Sequence, residues 1–362
     1  MRDERPILLV SPLDETMIRG GRDMVSAMNL AILTDLHGDR LLRYRLSAAK
    51  VRRQPALLHG HIDGIDDHSI AAIDRIVGER NMGQVFLDGS NLGGLARAIR
   101  RRRPGVRIIT FCHNVETSFF FGALRSHRTP KAAAVLLANA LAERSAVRSS
   151  DILFCLSERD GRIMRRLHGR MPDAVLPLAI ADSYREEEEI SADMPKERYA
   201  LFVGGGFYAN IDGIRWYLRK VAPQAGLKTV IVGRGMERLR DLCRERDACL
   251  VGQVADLAPW YRAAHVVIAP ILGGSGMKTK VAEALMHGKR VIGTAEAFSG
   301  YGPAVLASGD LCRDAGSFAQ AIRHAATLDL PAFDPALRAL YERFHSFTSA
   351  RERMADALAS SR

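Results

Sequence analysis

The densest chemistry in the chain lies in HVVIAPILGGSGMKTKVAEALMHGKRVIGT, residues 265–294: a β-rich run, a glycine-rich loop, a helical pattern and a second β-rich run. Gly273, Gly274 and Gly276 let a backbone approach a ligand closely and adopt positive φ, and the following helix presents unpaired N–H groups to an anion. Helices favour acids in their first turn, yet this one opens on Lys278 and Lys280, with no acid before Glu283. A phosphate-sized anionic ligand would offset that arrangement. At 100° per residue Lys278 falls beside the apolar side formed by Val281, Ala282 and Leu285, so it is expected to point inward. Glu283 shares another face with Lys280 and His287, and two readings of it stand. It holds a ligand, or it pairs with Lys280 on the surface for only ~0.2–0.5 kcal/mol. His287 in the last turn and Gly288 as C-terminal cap close the helix.

A second cluster lies in ITFCHNVETSFFF, where His113, Asn114 and Glu116 follow a candidate strand end, the place where open parallel sheets bind ligands. Gly204, Gly205 and Gly206 form a strand-to-helix turn, with Asn210 available as a helix cap. Gly20 and Gly21 sit between the first candidate strand and the first candidate helix. Arg125, His127, Arg128 and Lys131 stand beside Phe119, Phe120, Phe121 and Leu124, a combination suited to an anionic membrane interface. The run Arg100 to Arg103 reads as a solvated helix end.

The elements that must carry these residues alternate between short apolar runs and helical patterns, the signature of βαβ units and parallel sheets. A first series has strands at 7–12, 40–46, 84–89, 106–113, 151–157 and 174–179, with helices at 21–36, 66–80, 92–102, 130–147 and 158–168. A second has strands at 200–205, 228–233, 248–253, 265–270 and 289–294. The polar segment between them, with the acid run Glu186 to Glu189 and Pro195, reads as a linker. The chain thus divides into a domain at 1–182, a linker at 183–198, a domain at 199–330 and a helical tail at 331–362. Its 362 residues exceed the ~250–300 at which one core stops growing, in keeping with two domains.

Composition narrows the function classes. Hydrophobic residues at 47% and charged ones at 26% are globular values that exclude disordered and fibrous chains. Five scattered cysteines without a C-x-x-C pair fit a reducing cytoplasm. The apolar run before Ser11 is too short for a signal-peptide core, so export is not expected. The stretch Ala132 to Ala142, broken by Asn139, falls far short of the ~20 residues of a spanning helix. A net charge of +11 favours anionic partners, but no nucleic-acid motif accompanies it and none is expected to bind. No G-x-G-x-x-G opens a helix after a strand, which argues against a dinucleotide oxidoreductase.

The segment 265–294 resembles the donor-binding segment of retaining glycosyltransferases similar to family four, a bacterial polysaccharide and glycan biosynthesis type. The resemblance implies an α/β GT-B fold: two doubly wound Rossmann-like parallel-sheet domains facing an interdomain cleft, with the tail possible as a return to the first domain. It implies that the glycine loop meets a donor diphosphate and that Glu283, matching the second acid of an E-x7-E motif, holds the nucleotide ribose. The first acid falls at Ser275, a departure that leaves the sugar undetermined. Gly204, Gly205 and Gly206 would line the donor site, and the backbone at Gln253 and Val254 would receive the nucleobase. The stretch HNVE is similar to one in bacterial polysaccharide glycosyltransferases, which gives His113 a role in orienting sugar or acceptor. Gly20 and Gly21 resemble that family's N-terminal glycine loop.

The function these features imply is transfer of a sugar from a nucleoside-diphosphate sugar, a co-substrate and not a cofactor, to a glycan or polyprenyl-linked acceptor. The setting would be the cytoplasm or the inner face of its membrane. Lys278 would stabilise the leaving diphosphate. Glu116 or Asp14 would act as base only if the anomeric configuration inverts. No D-x-D triplet occurs and no metal is expected. A nucleotide-sugar epimerase of the same fold and a noncatalytic nucleotide- or glycan-binding subunit stay open as alternatives.

Overall fold

The computed structural model describes residues 5–16, 20–47, 62–186, 194–274 and 276–360. They form two compact units, one of residues 1–177 and 350–362 and the other of residues 178–349. Each is built on a six-stranded, wholly parallel sheet.

In the first unit the strands are β1 (Ile7–Ser11), β2 (Leu41–Arg45), β3 (Gln84–Leu87), β4 (Arg107–Cys112), β5 (Ile152–Cys155) and β6 (Ala174–Val175), in the order 2-1-3-4-5-6. Strands β1, β3 and β5 are buried along their whole length, as apolar runs covered by helices on both faces must be. The order reverses at β1, which lies between β2 and β3, the place where loops of doubly wound sheets diverge and ligands bind. Two helices differ from expectation. Glu116–His127 is an additional helix, and it hid because Val115 at its N-cap offers no capping oxygen. Pro130–Ser149 runs two residues further than expected, with Thr129 as its cap.

The second unit contains β7 (Tyr199–Val203), β8 (Lys228–Val232), β9 (Cys249–Gly252), β10 (Val266–Ala269), β11 (Val291–Thr294) and β12 (Asp310–Cys312), in the order 12-11-10-7-8-9. Its reversal lies between β7 and β10. The three-residue β12 is too short to leave a periodic signal.

The segment expected as a strand at 174–179 pairs only through Ala174 and Val175, because Pro177 has no N–H to give a ladder. Beyond it, residues 178–182 belong to the second unit. The Ile180 N–H donates to the His345 carbonyl, Nδ1 of His345 meets the Leu178 carbonyl at 2.7 Å, and Asp182 pairs with Arg338. The boundary expected at 182 therefore falls at 177. Residues 187–193, part of the expected linker with Glu187 to Glu189 of its acid run, lie outside the described residues. The tail is two helices, Pro335–Phe344 in the second unit and Phe347–Ser360, which passes into the first at Ala350.

Helix Gly93–Arg102 packs against Pro130–Ser149 with glycine at the contact: a Cβ on Gly93 would stand 1.7 Å from the Ala142 carbonyl oxygen and 2.6 Å from the Ala146 nitrogen. Gly93→Ala gains up to ~1 kcal/mol in helix propensity but forces two backbones apart, an overpacking cost of typically ~1–3 kcal/mol. The clash should win. Urea denaturation is expected to show a net loss of about 1–2 kcal/mol, whereas exposed Gly105→Ala, with open space at its Cβ, should not share it.

Candidate functional site

The loops after β7, β8 and β10 bring glycines together in the second unit. Gly204 donates its N–H to the Val232 carbonyl and Gly206 to the Arg234 carbonyl, at 2.9 and 2.7 Å. A Cβ on Gly206 would come within 2.4 Å of the Gly235 carbonyl, and one on Gly233 within 2.0 Å of the Gly204 carbonyl. The two turns thus lie backbone against backbone, which explains their glycines by packing alone. After β10, Gly274 and Gly276 take φ of 137° and 67°, conformations open to glycine. Both loops leave strands that flank the sheet's reversal point.

The helix after this loop is Thr279–Met286, and Lys278 is its N-cap in extended conformation, not a first-turn residue. Lys278 does not lie along the apolar face either. Its ammonium turns back to the Gly276 carbonyl at 2.7 Å and to Glu296 at 3.0 Å. The Tyr301 hydroxyl pins this helix start, donating to the Lys278 carbonyl and accepting the Ala282 N–H.

Lys280 and Glu283 are both buried, so the surface ion pair is excluded. The Lys280 ammonium donates to Asn210 Oδ1 at 3.2 Å and lies 5.4 Å from the Phe202 ring centre. Asn210 in turn donates to the Gly205 carbonyl, tying the lysine to the glycine turn after β7. Burial pushes Lys280 down to about 8, with Glu283 drawing it up and Lys278 down. Glu283 accepts from the Tyr261 hydroxyl at 2.7 Å. Gln253 is exposed and Val254 half-buried beyond β9, at the sheet edge. Ser275 lies outside the described residues.

In the first unit Asp88 and His113 follow β3 and β4, and His113 Nε2 lies 2.8 Å from Asp88 Oδ1 with both side chains buried. Asp88 also accepts from Ser11 Oγ at 2.7 Å and Asn29 Nδ2 at 3.0 Å. Burial alone would raise the Asp88 pKa. The charge and hydrogen bond of His113, with the Ser26 and Ser11 hydroxyls, outweigh it and hold the carboxyl well below the usual carboxylate range. Among the described residues His113 Nδ1 is buried without a partner.

Glu116 begins the additional helix, and Glu143 caps that helix from its neighbour. Glu143 accepts the Glu116 N–H at 2.7 Å, the Thr117 N–H at 3.1 Å and the Thr117 hydroxyl at 2.5 Å, and His168 Nε2 lies 2.9 Å away. Burial pushes Glu116 up to about 7; Arg22 and His113 draw it down, while Glu143 and Asp63 push it up. Asn114 is half-buried in the same loop. Gly20 is the N-cap of helix Gly21–His37 and has open space at its Cβ. Arg22, one residue past Gly21, pairs with Asp63 at 2.9 Å. Asp14 pairs with Arg45 at 2.7 Å.

Sequence reading missed Asp88, Glu143, Tyr261 and the extent of the Lys280 environment. Asp88 had a usable signal, an acid immediately after an apolar strand in a doubly wound sheet. Glu143 and Tyr261 had none, being single polar residues within ordinary helical patterns.

Residues 197–327 match the family model described as glycosyl transferases group 1. No curated protein matches the sequence closely enough to count as a relative. Solved structures align over nearly the whole chain. Sucrose-phosphate synthase from Thermosynechococcus elongatus is 16% identical with a TM-score of 0.75, over 97% of this chain and 98% of that one. Anabaena HepE, in a structure with UDP, is 14% identical at 0.71, over 98% and 100%. A glycosyltransferase from Rickettsia africae is 13% identical at 0.68, over 99% of each. The fold of this chain is GT-B.

Lys280→Met tests whether the lysine serves the fold or a ligand. The depressed pKa costs the native state on the order of 3 kcal/mol at pH 7, because the unfolded chain holds the proton more tightly. Met fills the volume without charge, so the ligand-free variant should melt higher than wild type. The gain should be full below about pH 8 and shrink as pH rises from there toward the unfolded lysine value. Thermal denaturation at pH 7 and pH 10 checks this, and a lower melting temperature at pH 7 would make Lys280 a fold-supporting residue. Asp88→Asn should instead destabilise, by about 3–5 kcal/mol, since it leaves His113 buried beside a neutral group; urea denaturation gives the number.

Proposed function

From a GT-B chain that carries a group 1 glycosyl transferase domain over residues 197–327, we propose an enzyme that transfers a hexosyl group from a nucleoside-diphosphate sugar to a glycan or lipid-linked acceptor. The observation that carries the reading is the buried Lys280 ammonium, which among the described residues has one hydrogen bond, to a neutral amide, and sits beside Lys278 and two glycine loops. Such a site gains most from a doubly charged diphosphate.

In this reading the second unit holds the donor. Lys278, Lys280 and the N–H groups of helix Thr279–Met286 stabilise negative charge growing on the departing diphosphate, the electrostatic contribution that commonly dominates catalysis. Glu283 accepts hydrogen bonds from the ribose, and the backbone at Gln253 and Val254 receives the base. The bond from the anomeric carbon to the diphosphate oxygen breaks, and an acceptor oxygen bonds that carbon. With retention, the acceptor proton passes to the departing phosphate and no protein base is needed. With inversion, Glu116 takes it, and a pKa near 7 suits that task. His113, braced by Asp88, orients sugar or acceptor, with Asn114 next to it in the same loop, and Gly20 and Gly21 belong to the acceptor side.

Retention is the favoured outcome on the resemblance of residues 265–294. Bacterial surface polysaccharide synthesis in the cytoplasm is the setting in which such an acceptor arises. Among the described residues no helix is long and apolar enough to cross a membrane. Peripheral contact is supported by Phe121, 52% exposed, beside exposed Arg125, Arg128 and Lys131. Phe119 and Phe120 form an edge-on pair and are only half-buried.

Calorimetric titration with UDP, ADP and GDP in EDTA is expected to show binding of at least one, unchanged by added magnesium. Binding that appears only with the metal would overturn the metal-free site. Lys278→Ala should lower kcat, because its ammonium meets charge that grows toward the transition state. Glu283→Ala should mainly raise donor KM, because ribose hydroxyls are the same in both states. Each removes a charge-assisted hydrogen bond of ~1.5–3 kcal/mol, so kcat/KM should fall roughly ten- to a hundredfold. Wild-type kinetics in both folded variants would make this loop and helix ordinary scaffold.

A further inference from the structure

Tyr261 stands on helix Ala258–Ala263, 22 residues from Glu283 in sequence, and its hydroxyl meets Glu283 Oε2 at 2.7 Å. The tyrosine is only 1% exposed. Its ring lies flat on the His287 imidazole, with centroids 4.8 Å apart and planes 6° from parallel. Tyr184 meets the same imidazole edge-on at 6.1 Å, and stacks on Phe333 at 4.7 Å. One face of the phenol is therefore packed against a column of rings, which holds the hydroxyl toward Glu283.

The direction of this hydrogen bond is fixed. Burial pushes the Tyr261 phenol well above its ordinary value, and the Glu283 charge pushes it further, so the proton stays on tyrosine. Burial pulls His287 down to about 4, so the ring beneath is neutral and brings no charge to compete for the carboxylate. Tyrosine donates and Glu283 Oε2 accepts. Among the described residues the carboxylate has no other hydrogen bond, which leaves Oε1 as its open acceptor.

We infer that Tyr261 is a positioning residue that sets the enzyme's preference for ribonucleotides: by holding Oε2 of Glu283 it turns Oε1 into a fixed acceptor for a ribose hydroxyl. A carboxylate without that tether rotates about its last bond and meets one hydroxyl, two or water with little distinction. Tethered, its oxygen has one orientation, and a nucleotide whose ribose lacks the matching hydroxyl leaves Oε1 of a buried carboxylate without that partner. The inference rests on the reading that Glu283 faces the ribose.

The test is calorimetry with the tightest binder among UDP, ADP and GDP and with its 2′-deoxy and 3′-deoxy analogues. Wild type should prefer the ribonucleotide at least tenfold over one of them. Tyr261→Phe, which keeps the ring column, should bind the ribonucleotide about tenfold more weakly while binding that deoxy analogue nearly as wild type does. Preference then collapses. A general loosening of the site would weaken all ligands alike, and that result, or an undiminished preference, overturns the role of Tyr261. Glu283→Gln and the double variant supply a second check: if the hydroxyl acts through the carboxylate, the double variant should lose no more preference than Glu283→Gln alone, and additive losses would overturn the proposal. A wild type that binds no diphosphate, or ignores the ribose hydroxyls, refutes the assignment of Glu283 itself and the inference with it.

Discussion

An ammonium group held out of water and, among the described residues, in no ion pair is the constraint around which the second unit is arranged. Among the described residues Lys280 has one neutral hydrogen-bond partner and an aromatic face, while Glu283, one turn further along the helix, is engaged by Tyr261 instead. Such a charge weakens the fold, and the surrounding parts exist in a form that tolerates it. Asn210 ties it to the glycine turn after β7, Tyr301 fixes the start of its helix, and Glu296 takes the neighbouring Lys278. What the native state loses there, a diphosphate can restore on binding.

The first unit solves the opposite problem. Asp88 is buried just as deeply, yet it is surrounded by donors: His113, Ser11, Asn29 and Ser26. This carboxylate is satisfied by the protein and so serves as an anchor, not a binding group. On the ring that it fixes, His113 Nδ1 is unsatisfied among the described residues. Glu143 does similar work from a different helix. By capping the start of Glu116–His127 it holds the HNVE stretch in a turn that Val115 could not have capped itself.

Both clusters sit where they do because a parallel sheet sends the ends of all its strands to one edge. In each unit the strand order reverses once, at β1 and β3 in the first and at β7 and β10 in the second. Loops diverge at those places, and backbone N–H groups and short side chains can reach a ligand there. Gly204 to Gly206, Gly274, Gly276, Asp88 and His113 all follow strands next to or near a reversal. Placement of chemistry thus follows from topology, and the glycines follow from how closely the loops must pass.

The amino-acid sequence by itself determined the two-sheet α/β architecture, because apolar runs of strand length and helical periodicity are local properties. It also determined the glycine loop, Lys278, Lys280, Glu283 and the HNVE stretch as places of chemistry, since glycine and charge against helix preference leave local marks. Only the tertiary structure decided what those groups face. That Lys278 stands at the N-cap position and turns to Glu296, that Glu283 takes Tyr261 and not Lys280, and that the first domain ends at 177 depend on contacts between residues far apart in the chain. A helix whose cap comes from Glu143, 27 residues away, carries no start signal of its own. Burial has the same character: whether a lysine is solvated or costs stability is set by what folds over it, and no pattern of neighbours along the chain records that.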